Sequence, residues 1–389
     1  MVRQRSNRGR REKTLGVYPS RLVFRILSYY SGCRWATPGE LMVTMVGEWI
    51  YRLIYRGALE SLPEARAVAM GQALFKRLPI EYLPFFRLSD PRLVTPLGGV
   101  ALPNPLILSS MYYDPAILRN AMAAGFGAVT TKSITANPRP GHPEPNLVRV
   151  STAAGRGFVN CNGFKNPGLA AYRELLKTVP HRVPLIVAVA GESIPEYCQL
   201  VAELSRFGDL VECNISSPNT RLVYELSSKP SEVRQLFKEL SQVTLKPLIV
   251  KLSPDFAEAN YSALIPAALD AGVAIINWGN TRRVTEPRLS QRAGGLSGPE
   301  LFPDTLAQVK KLRGLFGSNI EIIATGGVDH PDKALALLRA GAAAVSYFTG
   351  FITRGPFLAR RILDRLCQEL DRTGSRDLSG LRDSSNVVG

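Results

Sequence analysis

The sequence of 389 residues predicts an α/β protein: a (β/α)8 TIM barrel carrying an N-terminal helical extension. Three observations predict it. From residue 94 onward, short apolar runs alternate with helical stretches, enough for eight strand–helix units. The runs are nearly continuous in apolar residues, as strands buried on both faces must be. Polar residues then recur at the C-terminal end of one run after another, where barrels of parallel strands collect their functional groups. An open doubly wound sheet is the alternative. No Gly-x-Gly-x-x-Gly follows the first run, which counts against its dinucleotide-binding version.

Taken in order, residues 1–13 (MVRQRSNRGRREK) are basic and polar and read as a disordered tail. Residues 14–85 read as a helical region. An amphipathic helix is expected over 21–30, a second over 40–59 and a third over 62–77. The second is apolar but carries Glu48, Arg52 and Arg56, whereas a spanning helix needs about 20 mostly apolar residues. Trp49, Tyr51 and Tyr55 beside those arginines fit a helix lying in a membrane interface; the alternative is a surface helix packed on the barrel. Pro79, Pro84 and Pro91 punctuate the passage into the barrel, which is expected over 86–375 with a flexible tail at 376–389. The expected strands are 106–110, 128–134, 185–190, 210–216, 247–253, 274–280, 321–327 and 343–349, with helices such as 194–206, 256–271 and 303–314 between them. Two long excursions, 135–166 and 281–300, interrupt the repeat; loops of that length are usually functional or disordered.

Composition narrows the chemistry. Hydrophobic residues make up 45% of the chain, ample for a large core. The five cysteines are scattered without a Cys-x-x-Cys, so neither a disulfide framework nor a zinc site is indicated. Only three histidines are present, against a histidine-based triad or metal centre. The formal net charge of +16 fits nucleic acid, an anionic membrane surface or anionic ligands. No basic and aromatic interleaving accompanies it, so nucleic acid is not expected.

The stretch Glu212-Cys213-Asn214-Ile215-Ser216-Ser217-Pro218-Asn219-Thr220 ends the fourth strand with two hydroxyls between carboxamides. Similar ends stand elsewhere: Lys132-Ser133, Asn160 to Phe164 in the first excursion, Lys251, Asn280-Thr281, Gly326-Gly327 and Phe348-Thr349. Asparagines both donate and accept, which suits a flat, neutral-to-anionic ligand with ring amides. Metal binding and glycoside hydrolysis want carboxylates instead. A lysine inside an apolar strand must pair with an anion or give up its charge, and an anionic cofactor ring would serve Lys251; the alternative is a snorkelling surface lysine. Gly326-Gly327, Gly350 and the Gly294 to Gly298 loop offer open backbone N–H groups, the recurring phosphate site of such barrels. A phosphate-bearing flat cofactor such as flavin mononucleotide (FMN) fits this set, stacked on a planar substrate.

These residues resemble the dihydroorotate dehydrogenase family over roughly 85–370. The resemblance runs through Asn104-Pro105, Gly125-Phe126-Gly127, Lys132-Ser133, Gly141-His142-Pro143, Asn160 to Phe164, Asn214 to Thr220, Lys251 to Asp255, Asn280-Thr281, Gly294 to Gly298 and Gly326-Gly327. It implies an FMN-binding barrel that oxidises dihydroorotate to orotate in de novo pyrimidine (UMP) biosynthesis. The family's base is a serine in its membrane-associated, quinone-reducing class and a cysteine in its soluble classes; here it matches Ser217. Leu62 to Ala67 also resembles the quinone-using class, whose N-terminal helices face the membrane and admit the quinone. The resemblance therefore implies quinone as electron acceptor and a peripheral membrane location on the cytoplasmic face, in preference to mitochondrial import.

Site roles follow by resemblance. Ser217 and Lys251 would be catalytic. Substrate would be held by Lys132, Asn160, Asn162, Gly163, Phe164, Asn214, Asn219, Asn280 and Thr281. The cofactor would meet Ser109, Ser110, Ser133, Asn160, Asn214, Lys251, Gly279, Gly295, Gly327, Phe348 and Thr349. The chain also departs from the quinone-using pattern. Ser109 to Asp114 replaces a stretch that usually ends in lysine, Lys132 resembles the lysine of the soluble class, and Val189-Ala190-Gly191 lacks the usual flavin-contacting asparagine. Arg221 to Tyr224 replaces the usual substrate-covering Pro-Gly-Leu-Arg. These departures leave two alternatives: an FMN barrel acting on another dihydropyrimidine-like or enone ring, or a non-catalytic membrane-associated flavoprotein.

Overall fold

A computed structural model of the chain describes residues 38–216 and 229–383. The helix expected over 21–30, and with it Ser217, Asn219 and the Arg221 to Tyr224 stretch, lies outside the described residues. Eight parallel strands close into a barrel: β3 (Leu106–Tyr112), β4 (Ala128–Thr131), β7 (Leu185–Val189), β8 (Leu210–Asn214), β9 (Leu248–Leu252), β10 (Ile275–Trp278), β13 (Glu321–Thr325) and β14 (Ala344–Tyr347). Each coincides with an expected strand, most of them shorter at the C-terminal end, where the polar residues leave the ladder. Helices such as Ile194–Leu204, Glu258–Leu269 and Phe302–Phe316 follow the strands and cover the barrel.

Side chains alternate along a strand, so one parity lines the interior. The first inward set is apolar: Ile107, Ala128, Ile186, Leu210, Ile249, Ile275, Ile323 and Ala344 cluster there. A hairpin of β1 (Thr95–Leu97) and β2 (Val100–Leu102) plugs the barrel beneath them, adding Leu97 and Leu102 to the same cluster. Its turn is pinned where Gly98 N donates to both carboxylate oxygens of Glu321, at 3.1 Å each. Gly98 sits at φ +55°, and a Cβ there would press on Pro247 and Ile275, so glycine is required.

The two long excursions are ordered and pair with each other. β5 (Leu147–Thr152) and β6 (Gly155–Asn160) form a hairpin from the first, β11 (Arg282–Thr285) and β12 (Ala293–Ser297) from the second, in one antiparallel sheet of order β11-β12-β6-β5. Val148, Val159, Cys161, Leu289 and Leu296 give this sheet a small core of its own. Backbone pairing across two segments distant in sequence satisfies polar groups that neither loop could satisfy alone.

Among the described residues two α-helices precede the barrel, α1 (Pro38–Ile54) and α2 (Glu64–Arg77), joined by one π-helical turn (Tyr55–Leu59). The Arg149 guanidinium of β5 closes the end of that turn, donating to Leu59 O at 3.0 Å, Leu62 O at 2.9 Å and Glu60 O at 3.3 Å. The face of α1 turned to the barrel carries Glu48, buried against Arg361, and Tyr51, whose hydroxyl donates to Ile352 O at 2.7 Å. Tyr55 is buried one turn later. Tyr51 and Tyr55 are thus anchors to the protein and not part of an interfacial belt, because they fall one turn apart on the face of Glu48. Met42, Val46, Trp49, Ile50 and Leu53 occupy the opposite face and are exposed. Among the described residues, no helix is long and apolar enough to cross a membrane.

Replacing Leu97 in the plug with alanine should cost about 2–5 kcal/mol of stability, because the closed barrel floor cannot collapse into the cavity. The midpoint of urea unfolding would measure it.

Candidate functional site

Above the apolar floor the interior turns polar. Lys251 of β9 is buried, and its Nζ lies 3.3 Å from Glu212 Oε1 of β8 and 3.2 Å from Ser110 Oγ of β3. Asn277 of β10 donates from Nδ2 to Glu212 Oε2 at 2.6 Å, and Thr325 of β13 donates from Oγ1 to Asn277 Oδ1 at 2.6 Å. The strand register brings these groups together, since Lys251 stands level with Asn214 on one side and Asn277 on the other. The anion beside Lys251 is therefore a protein carboxylate. Burial of Lys251 rules out the snorkelling alternative. Burial of two opposite charges is sustained only when both are paired and hydrogen-bonded.

Around this floor stand the strand ends. Asn214 Nδ2 donates to Ser133 Oγ at 3.0 Å, and its Oδ1 accepts from the Ser216 hydroxyl at 3.0 Å. Asn280 Nδ2 donates to Ser216 Oγ at 2.9 Å, and Thr281 N caps Asn280 Oδ1 at 2.8 Å. Residues from β4, β8 and β10 are thereby tied into one rim. Buried tyrosines fix two of its strand ends from outside: Tyr172 donates to Lys132 O and Tyr197 to Asn214 O, both at 3.0 Å. Burial holds both phenols well above the usual tyrosine range, so they stay donors.

The second sheet closes the side of the rim. Asn160 pairs with Gly295 across β6 and β12, and its Nδ2 lies 3.4 Å from Gly295 O. A Cβ on Gly295 would collide with the Thr281 hydroxyl, so this sheet approaches the barrel only through glycine. Asn162 N is 3.4 Å from Asn160 Oδ1. Gly163 (φ +61°) and Phe164 (φ +55°) follow in left-handed backbone, Gly163 resting on the His142 ring, which is held 2.7 Å from Cys161 O. Ser109 turns to Ser346 at 2.7 Å, and Thr349 reaches Ser297 at 3.0 Å. Phe348 stacks edge-on against Tyr112 with ring centroids 5.2 Å apart.

Lys132 differs from Lys251. Burial first, and the nearby Lys165 cation second, push its ammonium down to about 8. Asp114, where the quinone-using pattern has lysine, caps the helix Pro115–Ala123 and pairs with Lys76 of α2 at 2.5 Å.

Glu212 and Asn277 are missed by reasoning from strand ends. The available signal was an acid in an apolar run, two residues before Asn214 and so on the same inward parity.

The chemistry of the site fits the implied flavin. Gly326 (φ +118°) and Gly327 (φ +80°) follow β13, and a Cβ on Gly327 would enter the Phe302 backbone. Gly350 approaches Val328 O equally closely. Side chains are excluded at Gly327 and Gly350, while the Gly326 amide donates to Ser346 O at 3.3 Å, so the backbone that would meet an anionic phosphate is that of Gly327 and Gly350. Gly279 (φ +130°) passes against the Thr325 carbonyl too closely for a Cβ.

The family profile described as "Dihydroorotate dehydrogenase" matches residues 92–370. A Chloroflexus aurantiacus protein named dihydroorotate dehydrogenase (quinone) is 32% identical over 73% of this chain and 84% of its own length. The Pyrococcus furiosus dihydroorotate dehydrogenase B (NAD(+)) catalytic subunit is 34% identical over 72% and 93%. The Eimeria tenella enzyme in its ligand-free crystal structure superposes with a TM-score of 0.68 at 25% identity, covering 75% of this chain and 91% of that one.

Three substitutions test the geometry. Glu212→Leu alone should cost about 3–5 kcal/mol by stranding the Lys251 charge, and Glu212→Leu/Lys251→Leu should recover most of it. Gly327→Ala should abolish retention of added FMN, read by equilibrium dialysis.

Proposed function

The chain belongs to the dihydroorotate dehydrogenase family, and we propose on that premise that it oxidises dihydroorotate to orotate with bound FMN and passes the electrons to a quinone. The observation that supports this most is the assembly of Lys132, Asn160, Asn214, Asn280 and Lys251, from five separate segments, on one end of the barrel. FMN supplies a two-electron acceptor for the substrate's hydride. The protein's own groups do the rest. The asparagine rim orients the planar ring through paired donors and acceptors. Lys132 draws in the substrate carboxylate. Ser217 takes the C5 proton; serine is a weak base, so its own proton has to pass to a relay as it does so. Lys251 stabilises negative charge as it develops.

The acceptor follows from the N-terminal helices. Met42, Val46, Trp49, Ile50 and Leu53 on α1, with Val68 and Leu74 on α2, present exposed apolar side chains. A set of this kind fits the interfacial plane of a bilayer, from which a quinone would arrive. The relatives include both quinone and NAD(+) enzymes, and this exposed apolar face favours the first.

Dihydroorotate added without oxygen to the FMN-loaded protein should bleach the flavin at once, and a quinone should restore the colour. A flavin that stays yellow with dihydroorotate but bleaches with another dihydropyrimidine, or with the saturated counterpart of an enone ring, would move the substrate. Ser217→Ala should slow the bleaching about 10²–10⁴-fold while FMN stays bound; unchanged bleaching would remove Ser217 from the chemistry. Lys132 carries its charge below about 8 and loses it above. The KM for dihydroorotate should therefore rise as pH passes that value. Lys165→Gln removes a neighbouring cation, favours the charged form of Lys132, and should move the rise to higher pH.

A further inference from the structure

We infer that Glu212 is a positioning residue that sets the redox balance of the bound flavin through Lys251. The inference rests on the flavin reading above and concerns a carboxylate that reading does not use.

The charge of Lys251 is already met inside the protein, 3.3 Å from Glu212 Oε1. The hydrogen bonds have a fixed direction. Thr325 donates to Asn277, Asn277 donates to Glu212, and Lys251 donates to both Glu212 and Ser110. The chain of donors ends on a group that only accepts. Each Glu212 oxygen thus faces its own donor, and the carboxylate cannot swing away without leaving a buried donor unmet. The remaining inward positions at this depth, Ser109, Thr130, Ala188 and Ser346, are uncharged. Glu212 is therefore the anion that decides how much positive field Lys251 sends up into the site. With it, a neutral pair underlies the rim; without it, a bare cation does. A bare cation favours electrons arriving nearby, and a neutral pair does so less. The carboxylate thereby keeps the reduced flavin ready to release its electrons to the acceptor.

The test is the midpoint potential of FMN bound to the full chain, titrated without dihydroorotate. Glu212→Gln keeps the shape and removes the charge. It should favour the reduced flavin by tenfold or more, about 30 mV for a two-electron couple. Glu212→Asp draws the charge back by one methylene and should shift the midpoint the same way by less; it carries the test if the glutamine variant does not fold. Thr325→Val weakens the same network without touching a charge, and should lower the melting temperature while leaving the midpoint in place. A wild-type chain that takes up no FMN overturns the flavin reading and this inference with it. A flavin-loaded protein whose midpoint is unmoved by the Glu212 variants, or moved equally by Thr325→Val, overturns the inference alone.

Discussion

Closing eight parallel strands creates an interior without bulk water, and everything in this molecule follows from how that interior is filled. Period-two alternation sends every second side chain inward. At the bottom these are isoleucines, leucines and alanines resting on the β1–β2 plug. One step up, the same parity delivers Glu212, Lys251, Asn277 and Thr325, whose polar atoms satisfy one another, with Ser110 accepting a further hydrogen bond from Lys251. One step further, at the strand ends, the side chains face the rim. The site is thus a surface laid over a floor whose charges are already balanced.

The floor and the rim are held by different means. The floor is fixed by strand register and a buried ion pair. The rim depends on segments that reach it from outside: the β5–β6 and β11–β12 excursions, which pair with each other, and Tyr172 and Tyr197, which bond the backbone of two strand ends. Glycines at 279, 295 and 327 mark the places where backbone from one element passes against another too closely for a side chain.

The helices ahead of the barrel share this economy of faces. α1 spends one face on the protein, through Glu48, Tyr51 and the Arg149 closure of the turn that follows, and leaves the other apolar and exposed. Asp114 ties α2 to the first barrel helix through Lys76. Asp114 is thereby structural, a helix cap and an ion-pair partner at once.

By itself the sequence determined the barrel, because apolar runs of strand length at helix-length spacing have few other solutions, and all eight strands lie where those runs predict them. It also determined most of the rim: Lys132, Asn160, Asn214, Asn280 and the glycine pairs announce themselves as polar or flexible residues at strand ends. What it could not supply was partnership. That Lys251 pairs with Glu212, that two long excursions form a single sheet, and that Tyr51 and Tyr55 turn inward while Trp49 turns out were decided only in three dimensions. Each depends on which residues from distant segments arrive at the same height and on the same face. Strand stagger and helix docking set that height and face, and neither is encoded within any one segment.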